Sequence, residues 1–227
     1  MKPLVSSVLA ALVLASAGTM AQAPASAPEI PADPVITVEF SNPNLSPSHW
    51  TLTFHPDGRG HFRSKMGPAN SSTGEMRVPD VDRDLQLSPR FAADAFQVAQ
   101  RHKWFNQNCE SHLKVAFQGW KTLSYAGAEG KGSCTFNYCR DKDIQSLGDS
   151  FVAVAETVVE GVRLEMLLQH DPLGLDQEIE NLVAAARDGR AQQLCVIKDI
   201  LERLAGDDNV MQMVRKQARL LLARTDT

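Results

Sequence analysis

The chain has 227 residues, 43% of them apolar and 22% charged, with 23 basic against 27 acidic side chains. That is the profile of an ordinary globular protein with enough chain for one large domain or two small ones. A net charge of −4 argues against bulk nucleic-acid binding.

The only long apolar run is N-terminal. Lys2 precedes Leu4 to Leu14, which is too short to cross a bilayer, and the Ala-x-Ala sequences Ala15-Ser16-Ala17 and Ala21-Gln22-Ala23 follow. The pattern predicts a secretory signal peptide over 1–23 and no membrane span in the mature chain. Pro24 hinders a cut after Ala23, so the mature protein is expected to start between Gly18 and Pro24. Loss of Lys2 leaves 22 of the 23 basic residues against 27 acidic ones, a net −5. Export, periplasmic or secreted, places the four cysteines in an oxidising compartment. Residues 24–34 (Pro-Ala-Ser-Ala-Pro-Glu-Ile-Pro-Ala-Asp-Pro) read as an extended linker.

A β-rich domain with one helix is expected over 35–142. Ile36 to Phe40 is a short strand ended by Asn42-Pro43. Two alternating runs between His49 and Lys65 flank His55-Pro56-Asp57-Gly58. A two-residue turn mixes polar and apolar residues on each face, whereas a three-residue loop, Pro56 to Gly58, pairs Leu52 with Phe62 and Thr53 with His61. Trp50, Leu52, Phe54 and Phe62 then share the buried face. His49, Thr51, Thr53, His55, Arg59, His61, Arg63 and Lys65 share the other. A third strand is expected near Glu75 to Val78, and an acidic turn over Asp80 to Asp84. Ser88-Pro89 caps a helix to about His102, with Phe91, Ala95, Val98 and His102 on one side. Trp104-Phe105 anchors the chain. Leu113–Phe117 and Trp120–Tyr125 read as a hairpin across Gln118-Gly119, and Gly127 to Gly132 as a turn into a strand from Cys134 to Tyr138.

Residues 143–170 form one long bridging helix. Ile144, Leu147, Phe151, Val154, Ala155, Val158, Val162 and Met166 follow 3-and-4 spacing, with Asp149, Glu156, Glu160 and Arg163 opposite. The stripe widens with Val159, Leu164, Leu167 and Leu168, which calls for partners on more than one side. Asp171-Pro172 stops the helix. Three shorter amphipathic helices, about 176–187, 191–205 and 209–224, make a C-terminal bundle over 171–227. The fold class is therefore α+β: an antiparallel β-meander sheet packed by helices, followed by a small helical bundle.

The layout of strands, helix, strands and helix from Ile36 to Gly161, with Trp50-Thr-Leu-Thr-Phe and Asp57-Gly58, resembles uncharacterised exported domains of bacterial envelopes. The resemblance implies an α+β fold and no activity.

Four cysteines allow three full pairings. If the last three strands form a meander, Cys109 and Cys134 lie at one end and Cys139 at the other, so Cys109–Cys134 is the expected bridge. Closing such a loop stabilises by roughly 3 kcal/mol in the loop-entropy account. Cys195 reads as a buried free thiol in mid-helix, with a Cys139–Cys195 bridge as the alternative.

For chemistry, His49, His55 and His61 share a strand face, but neither a completing carboxylate nor a zinc spacing accompanies them. No Gly-x-Ser-x-Gly elbow, Cys-x-x-Cys pair or phosphate loop occurs, and no cofactor is implied. Glu156 and Glu160 lie one helical turn apart, which Arg163 marks as surface pairing. Glu165 lies in line with the apolar stripe, as drift at a helix end would place it. Between Gly58 and Gly74 there is no acid, so His55, Arg59, His61, Arg63 and Lys65 form the candidate binding face unless Glu39 or Glu75 neutralises it. The expectation is a non-enzymatic binding module of the cell envelope, its partner a protein or envelope component, an acidic one where the cationic face is left unneutralised. The alternatives are a hydrolase assembled from scattered polar residues or a histidine-based metal carrier.

Overall fold

The computed structural model describes residues 33–67 and 78–225. The signal-peptide segment 1–23, nearly all of the linker, and residues 75–77 of the expected third strand lie outside the described residues.

Six strands form one antiparallel sheet: β1 (Val35–Ser41), β2 (His49–Phe54), β3 (Arg59–Lys65), β4 (Val81–Gln86), β5 (Trp120–Gly127) and β6 (Gly130–Phe136). Their order is β4-β3-β2-β1-β5-β6. Five helices accompany them: α1 (Pro89–Arg101), α2 (Lys142–His170), α3 (Leu175–Arg187), α4 (Lys198–Gly206) and α5 (Gln212–Leu222). The fold is α+β.

The β2–β3 hairpin has the three-residue loop and the expected register, with Leu52 opposite Phe62 and Thr53 opposite His61. His55 N donates to Arg59 O at 2.9 Å, and Gly58 takes φ +83°, which a side chain would strain. Ile36, Val38, Phe40, Trp50, Leu52, Phe54, Phe62, Leu123, Tyr125 and Phe136 turn to the covered face. There α1 and α2 pack on them: Phe54 meets Phe96 edge-on and Phe151 at a tilt, with ring centroids 5.8 and 5.6 Å apart.

Five expectations need correction. Asp80 to Asp84 is not a turn, because Val81–Gln86 is the edge strand β4, held by β3. Leu113–Phe117 is not a strand, because both edges of β5 are taken, one by β1 and one by β6. The glycine-rich hairpin turn is therefore shorter, and β6 begins at Gly130. In α1 the innermost face is Ala92, Ala95 and Ala99, small enough to bring the helix close, with Phe91 and Val98 flanking it. The second of the three C-terminal helices, expected over 191–205, splits: Leu194–Ile197 is a 3-10 turn before α4, so Cys195 is not in mid-helix.

Helix α1 starts where Ser88 Oγ accepts from Phe91 N at 3.3 Å, with Pro89 at its first position. Its C-terminus, Arg101 and His102, meets Asp141 and Asp143 at the N-terminus of α2, at 3.3 to 3.5 Å. Both charges oppose the adjoining helix dipoles. Asp141 caps α2 by accepting from Asp143 N and Ile144 N.

Helix α2, 29 residues and about 43 Å long, carries both cores. Ile144, Leu147, Phe151, Val154, Val158 and Val162 belong to the sheet-side core. Leu164 and Leu167 belong to a second core with α3, α4 and α5. A glycine allows close approach in each half. A Cβ on Gly148 would lie 2.8 Å from the Phe136 ring, and one on Gly161 would lie 2.3 Å from Ile197 Cγ2. Glu165 is no drifting end of the stripe, since Arg83 Nη2 donates to both its oxygens, at 3.1 and 2.9 Å, tying β4 to α2. No helix among the described residues is long and apolar enough to cross a membrane.

Cys109 and Cys134 form a disulfide. What brings them together is not a meander strand but the 3-10 turn Lys103–Phe105, which rests on glycines of β6. A Cβ on Gly130 would lie 2.3 Å from the Trp104 ring, and one on Gly132 would lie 2.6 Å from Asn106 N. Cys139 is buried and free, and Cys195 is free and half-buried.

Candidate functional site

The expected binding face is present on the open side of the β2–β3 hairpin, and the strand beside it supplies the missing acids. Asp57 holds the Arg59 guanidinium, and Arg63 Nε donates to Asp82 Oδ2 at 2.8 Å. His61 Nδ1 lies 2.7 Å from Asp84 Oδ1 and its Nε2 2.8 Å from Asp82 Oδ1. His55 Nδ1 faces Pro34 O at 3.2 Å, and Lys65 is exposed at the end of β3. The Arg59 backbone N–H, and then its guanidinium, hold the Asp57 carboxyl below the usual range. Glu39 of β1 does not play this part, and Glu75 lies outside the described residues. The acids are Asp57 of the hairpin loop and those of β4, placed opposite by the register Arg63↔Asp82 and His61↔Asp84. An open hollow of about 610 Å³ lies over His55, Arg59 and His61. Among the described residues no three His, Cys, Asp or Glu side chains are placed to hold a metal ion.

A more enclosed cleft of about 240 Å³ lies on the opposite face of the sheet, where sheet, bundle and the loop after β1 meet. Phe40 and Trp50 form its floor, stacked with centroids 5.3 Å apart and planes 15° from parallel. Leu45, Ser46 and Pro47 form one wall. The loop that carries them is closed by Asn42 N donating to Ser48 O at 2.8 Å and pinned to the sheet by Ser48 N donating to Lys65 O at 3.2 Å. Val152, Ala155 and Val159 of α2 face Leu182 and Ala185 of α3 across it.

The polar side chains of the cleft come from Glu156, Glu160 and Arg163 on α2, Asn181 on α3, and Arg190 just beyond α3. Arg190 is placed by the end of that helix. Gly189 takes φ +75°, and Arg190 N and Ala191 N both donate to Ala185 O. The next residue is fixed to α2, since the buried Thr157 Oγ1 accepts from Gln192 N at 3.0 Å. Behind the cleft, Glu178 of α3 stands beside Glu160 and Arg163.

Arg163 sits between the two carboxyls without closing on either: Nη2 is 3.8 Å from Glu160 Oε1, and Nε is 3.7 Å from Glu178 Oε1. Both distances exceed a hydrogen bond. Arg163 Nε and Glu160 Oε2 are buried without a hydrogen-bond partner. Burial, and then the neighbouring Glu178 carboxyl, push the Glu160 carboxyl up to about 8. Burial raises Glu156 as well, against the pull of Arg190. A carboxylate can only accept, so Glu160 and Glu178 are compatible where one proton lies between them.

Sequence reasoning placed Trp50 on the buried face, Phe40 at the end of a short strand, and Glu156, Glu160 and Arg163 on solvated surface. It missed Glu178, Asn181 and Arg190. The signal available was the widening stripe of α2: Val159 sits between Glu156 and Glu160, so a helix that covers Val159 also covers its acidic neighbours.

Two other features are notable. Lys121, on the covered face of β5, is 2% exposed. Its Nζ lies 3.2 Å from Asp149 Oδ1, 3.4 Å from Asn137 O and 5.6 Å from the Phe136 ring centroid. Leu113, Val115, Phe117 and Trp120 are each more than 40% exposed, in the segment that was expected to pair as a hairpin. No family model, curated protein or solved structure matches the chain.

Proposed function

We propose that the chain is an exported, non-enzymatic binding module of the cell envelope, and that its ligand site is the cleft between the sheet, the 42–48 loop and helices α2 and α3. The N-terminal pattern of residues 1–23 and the Cys109–Cys134 disulfide support export. The observation that carries the binding reading is the cleft's make-up. An aromatic floor and aliphatic walls adjoin buried polar atoms, Glu160 Oε2 and Arg163 Nε, that have no partner. Ligand sites combine a mostly apolar lining with a few convergent polar groups in this way.

The hydrolase reading has one observation in its favour, since Glu160 is an acid that keeps its proton near neutrality. In a glycoside-hydrolase pair, however, the two carboxyls stand about 5–9 Å apart with the reacting bond between them. Here Glu178 stands behind the cleft beside Glu160 and is not among the residues that line it, so the two carboxyls do not flank a substrate bond. Ser46 lies on the rim, and the lining contains no histidine to activate it.

The test is amide and indole chemical-shift mapping with a panel of small one-ring compounds. Shifts should gather on residues 152–163 and 181–191 and on the Trp50 indole, and Ala185→Trp, which fills the cleft, should abolish them. Shifts confined to the β3–β4 face, or none in the cleft, would overturn the assignment.

A further inference from the structure

We infer that the cleft takes an organic monocation on a small apolar body, an alkyl- or arylammonium, whose charge offsets the excess of carboxylates at its polar end. This rests on the reading of the cleft as the ligand site and names the class of ligand.

The charge balance points that way. The ionisable groups around the cleft are Glu156, Glu160 and Arg163 from α2, Glu178 from α3, and Arg190 from the turn after α3. The loop 42–48 and the aromatic floor contribute none. Three carboxylates therefore face two guanidiniums, and Arg190 is shared with Asp188, 3.4 Å away. Fully ionised, the group has an excess of one negative charge. In a half-buried site that excess is costly, and a proton on Glu160 cancels it. A cation cancels it equally well by its charge alone.

The floor selects among cations. Trp50 and Phe40 are stacked on each other, with Phe62 beside Trp50, so the floor is an apolar surface for the carbon body of the ligand. The aliphatic walls suit carbon rather than a hydrated metal ion. The volume, about 240 Å³, restricts the body to one ring or a short branched chain. An anionic ligand would lie against Glu156 and Glu160 and require a further proton to enter.

Cation binding and protonation of Glu160 exclude each other, so binding must release the proton. For a ligand that does not itself titrate, affinity should rise about tenfold per pH unit between pH 5 and 7 and level off above about pH 8.

The experiment is calorimetric titration of the full chain with benzyltrimethylammonium, benzyl alcohol and phenylacetate, at pH 7 in two buffers of different ionisation enthalpy, with chemical-shift mapping of each. Benzyltrimethylammonium should bind at least tenfold tighter than the other two and release close to one proton. Glu160→Gln, which keeps the neutral form and so the fold, should lose that preference and the proton release while still admitting benzyl alcohol. If benzyl alcohol or phenylacetate enters the cleft as tightly as the cation, or if no proton is released, the cation assignment is overturned and the cleft stands as a site for another class. If none of the three shifts a cleft resonance, the cleft assignment fails with it.

Discussion

The β3–β4 ladder and the α2–α3 cluster use the same ingredients, acids and arginines on neighbouring elements, and reach different states. On the ladder, antiparallel register places Asp82 opposite Arg63 and Asp84 opposite His61, and Asp57 sits two residues from Arg59. The arginine contacts there are exposed and closed at hydrogen-bond distance, as is His61 Nδ1 with Asp84, while His61 Nε2 is buried beside Asp82 without hydrogen-bond geometry. In the cluster, Arg163 must serve Glu160 on its own helix and Glu178 on the next, and reaches neither closer than 3.7 Å. These side chains are only 14 to 26% exposed. A strand pair can satisfy each charge with its direct neighbour, whereas two helices fix positions that one guanidinium cannot serve at once. The satisfied ladder is a surface that closes the sheet edge. The unsatisfied cluster is the place where a ligand has something to supply.

The largest expected effect that tests this contrast comes from Arg163→Met. It leaves two adjoining carboxyls without their cation and should cost about 2–3 kcal/mol at pH 8, where both are asked to ionise. The cost should shrink at pH 5, where protons replace the guanidinium. Urea denaturation at the two pH values measures it, and an equal loss at both would show that Arg163 acts through packing alone.

Glu160→Gln tests the same cluster from the acid side. Its folded-state value of about 8 lies above the unfolded value near 4.5, so between these the native state binds the extra proton. Stability is then full below pH 4.5 and falls as pH rises toward 8, with Glu156 contributing in the same direction. Because a quarter of the Glu160 side chain stays exposed, the wild-type fall should be about 2 kcal/mol, less than the whole shift implies. In Glu160→Gln most of this slope should vanish.

Glu165→Ala removes the bidentate partner of Arg83, both about 70% buried, and should cost about 1–2 kcal/mol in urea denaturation. Asp82→Asn on the ladder should cost about 0.5 kcal/mol and less in 1 M salt, because Arg63 and His61 remain in water. A larger loss at Asp82 than at Arg163 would reverse the comparison between the two clusters.

What could be read from the chain follows the same division. The β2–β3 register was legible because strict alternation and Pro56-Asp57-Gly58 are local signals, and α2 because its period runs over 29 residues. Strand β4 was not, since Val81-Asp-Arg-Asp-Leu-Gln has two apolar residues and gains its stability from cross-strand charges that exist only once β3 is beside it. The 113–117 segment has strand-like alternation, but the sheet gave its place beside β5 to β1. The Cys109–Cys134 bridge was reached by way of that absent strand, while the contacts that hold it belong to Trp104, Asn106 and the glycines of β6. Of the cleft, sequence could locate Glu156, Glu160 and Arg163 on one helical face. The partners that change their meaning, Glu178 and Arg190, depend on how α3 lies against α2 and where it ends.

The most direct measurement is a pH titration of the glutamate side-chain carboxyl carbons by NMR, with the Glu160 signal assigned by its loss in Glu160→Gln. One carboxyl, that of Glu160, should titrate near pH 8 in the free protein, and its midpoint should fall when benzyltrimethylammonium is added. A Glu160 midpoint in the ordinary glutamate range, unmoved by the cation, would contradict the account.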